Sequence, residues 1–282
     1  DATTVDNGAA IAAATGAGTV NFSAGGVSDV YAKIITSTAL TANMQAVDAK
    51  DADVNVAITD TVVVDANAVT ALNTLRDDTN GTTGQVTATI NGTAAVLATL
   101  DAASASDSAL TITVNDAATA AEGAAIVAAT DSATVDFSAA GVSDSFGNLT
   151  TTTAVSTAMQ AIDAKDADVN IVVNAAVTTA SANNVTALNA LMSATTGNVT
   201  ATVSGDGAEL DGLQANSGNN QVLTITVDDA MTGSAGVTSL NAIAASTSGT
   251  VTAAAVSGNS ADLASLTASG TSATQAYTIT VD

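Results

Sequence analysis

Met44-Gln-Ala-Val-Asp-Ala-Lys-Asp-Ala-Asp-Val-Asn55 returns 115 positions later as Met159 to Asn170, with one exchange, Val47 becoming Ile162. A block of that length does not recur by chance, so the chain is built from copies and its period must be found before a fold is assigned. At the same offset Phe22 maps to Phe137, and Gly26-Val-Ser-Asp29 to Gly141-Val-Ser-Asp144. Further on, Val69-Thr-Ala-Leu-Asn73 returns as Val185 to Asn189, and Leu110-Thr-Ile-Thr-Val114 as Leu223 to Val227. A third copy repeats only the second half, as Val237-Thr-Ser-Leu-Asn241 and Tyr277-Thr-Ile-Thr-Val281. The chain thus divides into long repeat units at 1–115 and 116–228 and a half-length unit at 229–282.

Two textures alternate within each unit. Val86-Thr-Ala-Thr-Ile90, Leu110 to Val114, Val199 to Val203, Leu223 to Val227 and Tyr277 to Val281 place apolar residues on one face and Thr on the other. That period of two predicts half-buried β-strands, with Thr suited to the open face by its β-propensity. The second texture is helical: Ala68, Val69, Leu72 and Leu75 form one stripe, and Val185, Leu188 and Leu191 another. Shorter helical segments are expected at Ala94 to Leu100 and Ala261 to Leu266, with Asp65 and Ser260 as N-caps.

Strand starts near residues 19, 54, 86, 110, 134, 169, 199, 223, 251 and 277 are spaced by roughly 24 to 35 residues, which admits a helix and two turns but not a hairpin. Such a series gives parallel strands joined by right-handed crossovers. The expected fold is therefore α/β: a two-layer repeat solenoid of alternating β-strands and short helices. Each coil adds a strand to one continuous parallel sheet, with helices on one side and a Thr-rich exposed face on the other. The competing fold is a string of tandem β-sandwich domains, whose turn signals every ~8–12 residues would leave no room for the helical stripes.

Composition removes most chemistry. The chain has no His, Cys, Pro or Trp among its 282 residues, so His-activated nucleophiles, thiolates, disulfides and imidazole or thiolate metal sites are excluded. Two Tyr and three Phe leave little on which to stack a sugar, against a two-carboxylate glycosidase. Four Lys+Arg against 27 Asp+Glu give a net charge of −23, so nucleic acid is not an expected partner and neither is an anionic membrane surface. No apolar run is long enough to predict membrane insertion. With 47% hydrophobic residues the chain is too apolar for a disordered one. Opening at Asp1 without a basic or apolar leader, it reads as a mature or excised segment.

The most concentrated oxygen donors are Asp48, Asp51, Asp53 and Asn55, repeated as Asp163, Asp166, Asp168 and Asn170. Asp51-Ala-Asp53-Val-Asn55 has the opening spacing of an EF-hand loop. However, Val56 stands where that loop needs Gly, and no closing Glu follows. Two readings remain: a surface Ca²⁺ site at a helix-to-strand junction, and a solvated acidic turn. Asn115-Asp116 and Asp228-Asp229 are weaker candidates of the same kind. Asn73, Asn189 and Asn241 recur inside the long helical motifs, either buried in register and bonding backbone groups of neighbouring coils or lying on a polar helix face.

The Leu-Asn-Ala-Leu motif (Leu188 to Leu191), the Val-Thr-Ala-Thr-Val strand (Val199 to Val203) and the Ala-Tyr-Thr-Ile-Thr-Val closure (Ala276 to Val281) resemble the tandem repeats of giant cell-surface proteins of marine bacteria. The resemblance implies an exported surface-layer, fibre or adhesin role without catalysis. The absence of Cys and the acidic, Thr- and Asn-rich composition suit an extracellular location. The expected function is a structural repeat segment of a secreted surface filament, surface layer or giant fibrous protein, whose partners are copies of itself or adjacent repeats. The alternative is a Ca²⁺-dependent adhesin module binding a surface or glycan. The two ends are expected to be continued, because Thr280-Val-Asp282 followed by Asp1-Ala2 would reproduce the internal Thr226-Val-Asp-Asp-Ala230.

Overall fold

The computed structural model describes residues 1–22, 25–79, 84–103, 108–131, 133–137, 140–179, 181–216, 218, 220–267 and 273–282. In it the period-2 segments pair side by side, in register and parallel: Val86 to Gly92 runs along Ser108 to Val114, and Val199 to Gly205 along Gln221 to Val227. Parallel ladders replace the β-sandwich alternative with an α/β fold. The chain falls into two units, Asp1–Ala140 and Gly141–Asp282.

The first unit runs α1 (Val5–Thr15), β1 (Val27–Asp29), α2 (Tyr31–Ile34), β2 (Ile35–Thr36), β3 (Ala39–Leu40), α3 (Ala42–Asp48), β4 (Val56–Val63), α4 (Ala66–Thr79), β5 (Val86–Gly92), α5 (Ala94–Leu97), β6 (Ser108–Val114), α6 (Ala120–Ala128) and β7 (Val135–Asp136). Its 5-stranded sheet has the order β1-β4-β5-β6-β7 and is parallel throughout. The second runs β8 (Val142–Asp144), α7 (Phe146–Leu149), α8 (Thr157–Asp163), β9 (Ile171–Val173), β10 (Val177–Thr178), α9 (Ala182–Ala194), β11 (Val199–Gly205), α10 (Gly207–Leu210), β12 (Gln221–Val227), β13 (Met231–Thr232), α11 (Gly233–Ala245), β14 (Thr250–Gly258), α12 (Ser260–Leu263) and β15 (Thr274–Val281). Its 8-stranded sheet is likewise parallel, with β15 added beyond β14. β9 and β10 pair with opposite ends of β11, doing together what the single strand β4 does along β5 in the first unit.

Alternation decides which face is covered. Val86, Ala88 and Ile90 are buried while Thr87 and Thr89 are exposed, and the same holds for Val199, Ala201 and Val203 against Thr200 and Thr202. The Thr faces stay open to solvent, unlike the usual parallel sheet covered on both sides. The helices bury matching stripes, Ala68, Leu72 and Leu75 on α4, which packs on β5, and Val185, Leu188 and Leu191 on α9. Each Val or Leu so buried contributes about 1.5–3 kcal/mol of transfer free energy.

Side-chain caps start several of the helices. Thr4, Thr41 and Ser156 accept from the N–H groups of Asn7, Met44 and Met159, and Thr119 closes a capping box with Glu122. Asp65 caps α4 as its sequence predicts, by accepting from Ala68 N–H. At α12 the cap is Asn259 rather than Ser260, which becomes the first helical residue.

The structure departs from the predicted continuous sheet in three places. The ladder ends at β7, a two-residue strand, and a separate sheet begins at β8. Among the described residues no strand starts near residue 19, whereas β1 and β8 form where the sequence shows no period. β2 and β3 form a small antiparallel hairpin, a separate two-stranded ribbon off the main ladder.

Candidate functional site

The acidic turns follow α3 and α8, where the chain leaves a helix and enters the sheet. Asn55 is bound to its neighbours at both ends: its Oδ1 accepts from Gln85 N–H at 2.9 Å and its carbonyl from Val27 N–H at 2.8 Å. Asn170 repeats this with Asn198 N–H at 2.8 Å and Val142 N–H at 2.8 Å. Each Asn therefore joins the strand before it to the strand after it. Gly26 and Gly141 make the close approach feasible. They sit at φ 55° and 61°, and a Cβ on either would lie 2.0 Å from the Asn55 or Asn170 carbonyl oxygen.

Asp51 Oδ2 accepts from Phe22 N–H at 2.7 Å. Asp53 and Asp168 are exposed, and Asp166 is half-buried. Asp48 Oδ1 is buried without a hydrogen-bond partner, and burial, followed by the Asp78 charge, holds its carboxyl above the usual carboxylate range. Burial raises Asp163 in the same direction. Among the described residues no group of three or more acidic side chains converges as metal ligands would. The EF-hand-like spacing thus places Asp51 and Asn55 against main-chain N–H groups of adjoining coils. A cation at this turn would have to draw on Asp48 and the exposed carboxylates.

The weaker candidates at the boundaries of the sequence repeats also bond main chain. Asp116 Oδ1 accepts from Ala94 N–H at 2.6 Å and Asp229 Oδ1 from Gly207 N–H at 2.8 Å, each at the first residue of a short helix one coil earlier. Charge at a helix start suits the dipole and satisfies a donor with no partner inside the helix.

The helix asparagines form a third set. Asn73 donates to Thr99 O at 3.3 Å and accepts from Asp101 N–H at 3.1 Å. Asn189 does the same with Gly212 O and Gln214 N–H, both at 2.9 Å. Asn241 repeats it with Ser265 O at 2.9 Å and Thr267 N–H at 2.8 Å. These amides bond the neighbouring coil's backbone, but from half-buried positions on the helix surface rather than from a buried ladder.

Thr195 and Thr247 are buried joints of the same kind. Thr247 hydroxyl donates to Leu223 O at 2.9 Å and accepts from Leu223 N–H at 2.7 Å and Gly249 N–H at 2.8 Å, which uses its full hydrogen-bonding capacity. Thr195 donates to Val169 O at 2.7 Å and accepts from Gly197 N–H at 2.9 Å. Their signal is the recurrent Thr-x-Gly ahead of a strand, Thr195-Thr-Gly197 and Thr247-Ser-Gly249.

Cations serve the same end in the first unit. Lys50 Nζ donates to the Gly16 and Gly18 carbonyls, and buried Arg76 donates to Asp101 O at 2.8 Å. Among the described residues no helix is long and apolar enough to cross a membrane. No protein-family model, curated protein or solved structure matches this chain.

Proposed function

We propose that the chain is a structural repeat segment of a secreted surface filament, surface layer or giant fibrous cell-surface protein, built on the α/β repeat-solenoid plan. The observation that supports this is the use made of the recurring polar side chains. Asn55 and Asn170, Asp116 and Asp229, and Asn73, Asn189 and Asn241 all bond main-chain groups of an adjoining coil. Repetition therefore preserves the joints between coils, as the work of spanning distance requires. The exposed Thr faces and the net charge of −23 keep such a segment hydrated in salt water. The resemblance to giant tandem-repeat cell-surface proteins points the same way.

The test is immunogold labelling of intact source cells with antibody raised against this chain. Label over a coat or filament on unpermeabilised cells is the expected outcome, and label that appears only after permeabilisation overturns the reading.

A second reading, the Ca²⁺-dependent adhesin, draws support from Asp48, whose buried Oδ1 faces no donor while the Asp78 charge acts on it. A cation there would raise stability by mass action. Melting in millimolar Ca²⁺, against Mg²⁺ at equal ionic strength and against chelator, should give a higher midpoint in Ca²⁺ that Asp48→Asn abolishes. Equal midpoints in Ca²⁺ and Mg²⁺ overturn this second reading.

A further inference from the structure

The two ends of the repeat pattern carry exposed apolar side chains at positions that are buried inside the chain. On β15, Ile279 and Val281 are 47% and 64% exposed, whereas their counterparts Ile112 and Val114 on β6, and Ile225 and Val227 on β12, are buried. On α1, Ile11 is 47% exposed, while its counterpart Ile126 on α6 is fully buried. Val20 and Phe22 are half-buried, against the buried Val135 and Phe137.

These positions belong to one joint. In the first unit the coil of β6 is followed by α6, which packs on α5, and by β7, which pairs with β6 as Ile112↔Val135 and Thr113↔Asp136. Ile112 N–H donates to Thr134 O at 3.0 Å, and Asp116 caps α5. At the far end, β15 reaches the same state up to the last step. Asp282 N–H donates to Gly258 O at 3.0 Å, as Asn115 N–H does to Gly92 O at 2.9 Å. β15 pairs only with β14 among the described strands. The opposite half of the joint lies at the start of the chain, where Asp1, Thr4, Ile11, Thr19, Val20 and Phe22 stand at the positions of Asp116, Thr119, Ile126, Thr134, Val135 and Phe137.

We propose that β15 is the docking edge for the first coil of a second copy of this repeat, added head to tail in the register of the β6–β7 joint. Ile279 pairs with Val20 of the second copy and Thr280 with its Asn21, Ile279 N–H donates to its Thr19 carbonyl, and its Asp1 carboxylate caps α12 at Ser260. The α1 coil then covers Ile279 and Val281 while burying its own Ile11. The two surfaces differ, so the contact is heterologous and propagates in one direction. This partner assignment rests on the structural-segment reading, and its test reads the joint alone.

The chain has no Cys, which makes disulfide trapping a clean test. Thr280→Cys and Asn21→Cys, both at exposed positions, are made in separate chains, checked for unchanged circular dichroism, mixed and oxidised. Strands paired in a sheet lie about 4.8 Å apart, within reach of a disulfide. The expected result is a T280C–N21C product that exceeds the off-register T280C–A17C product, and either homodimer, by at least about tenfold. Adding Ile11→Asp to the N21C chain should cut that yield at least about tenfold, because it charges an apolar contact. A statistical mixture, no cross-linked product, or dominance of T280C homodimers would overturn the proposal. Surface labelling of cells is untouched by that result, so failure of the joint and failure of the segment reading are separately visible.

Discussion

At the scale of single residues the recurring polar groups are worth more to this chain than their number implies, because each one closes a main-chain donor or acceptor that would otherwise be stranded between coils. Asn189 holds the Gly212 carbonyl and the Gln214 N–H together. Removing the amide leaves both to find water at a half-buried site. Asn189→Ala should therefore destabilise by about 1–3 kcal/mol, read as a lower midpoint in denaturant with an unchanged slope. Asp48 works in the opposite direction. Its carboxyl is held above the usual range by burial, and then by Asp78, so the folded chain keeps the proton more tightly than the unfolded chain does. Stability from this group is complete while it is protonated and is lost as pH rises through the raised value. At neutral pH the charged group is a cost. Asp48→Asn should raise the melting temperature at neutral pH, with the gain shrinking as pH falls into the range where Asp48 itself is protonated. A gain independent of pH would show that charge is not the cause.

At the scale of elements, what the sequence makes legible is whatever is long enough to show a period. β5, β6, β11 and β12 announce themselves by Thr alternation, and α4 and α9 by their Leu stripes. β1 and β8 do not, since Val-Ser-Asp is too short for a period to be counted. What seats them is the left-handed glycine before each strand and the Asn carbonyl that meets it. The acidic turn was legible as a special place but not as the right chemistry, since ligand spacing and main-chain clamping call for the same oxygen donors. Only the positions of the Phe22 and Gln85 N–H groups tell them apart. Buried Thr195 and Thr247 are marked in the sequence only by the Thr-x-Gly ahead of a strand, and their partners emerge once the strands are paired. Gly141→Ala should cost at least about 1–3 kcal/mol, from the left-handed backbone together with the overlap on Asn170. Gly147→Ala lies in α7 with nothing within 4 Å of the new Cβ, and should stabilise by roughly 0.5–1 kcal/mol. Equal effects at the two sites in thermal melts would refute the assignment of strain to the joint.

At the scale of the whole molecule the dominant electrostatic fact is imbalance. With 27 Asp+Glu against four Lys+Arg, the carboxylates repel one another across both units, and few cations offset them. Lys33 makes an exposed pair with Asp6 at 2.8 Å, and Lys50 and Arg76 serve carbonyls. An exposed pair of that kind contributes only about 0–1 kcal/mol, so screening it forfeits little. Screening the repulsion gains more, because many pairs contribute and the folded chain holds them closer together than the unfolded chain does. The screening length falls from about 30 Å at 0.01 M salt to about 10 Å at 0.1 M and about 3 Å at 1 M. The melting temperature should therefore climb steeply as NaCl is raised from 0.01 M to a few tenths molar, and flatten once the screening length is shorter than typical carboxylate spacings. The same curve measured at acid pH, with most carboxylates protonated, should be nearly flat. If salt lowered the midpoint at neutral pH, local ion pairs would outweigh the net field, and hydration by a surplus of negative charge would no longer explain how so apolar a repeat stays in solution.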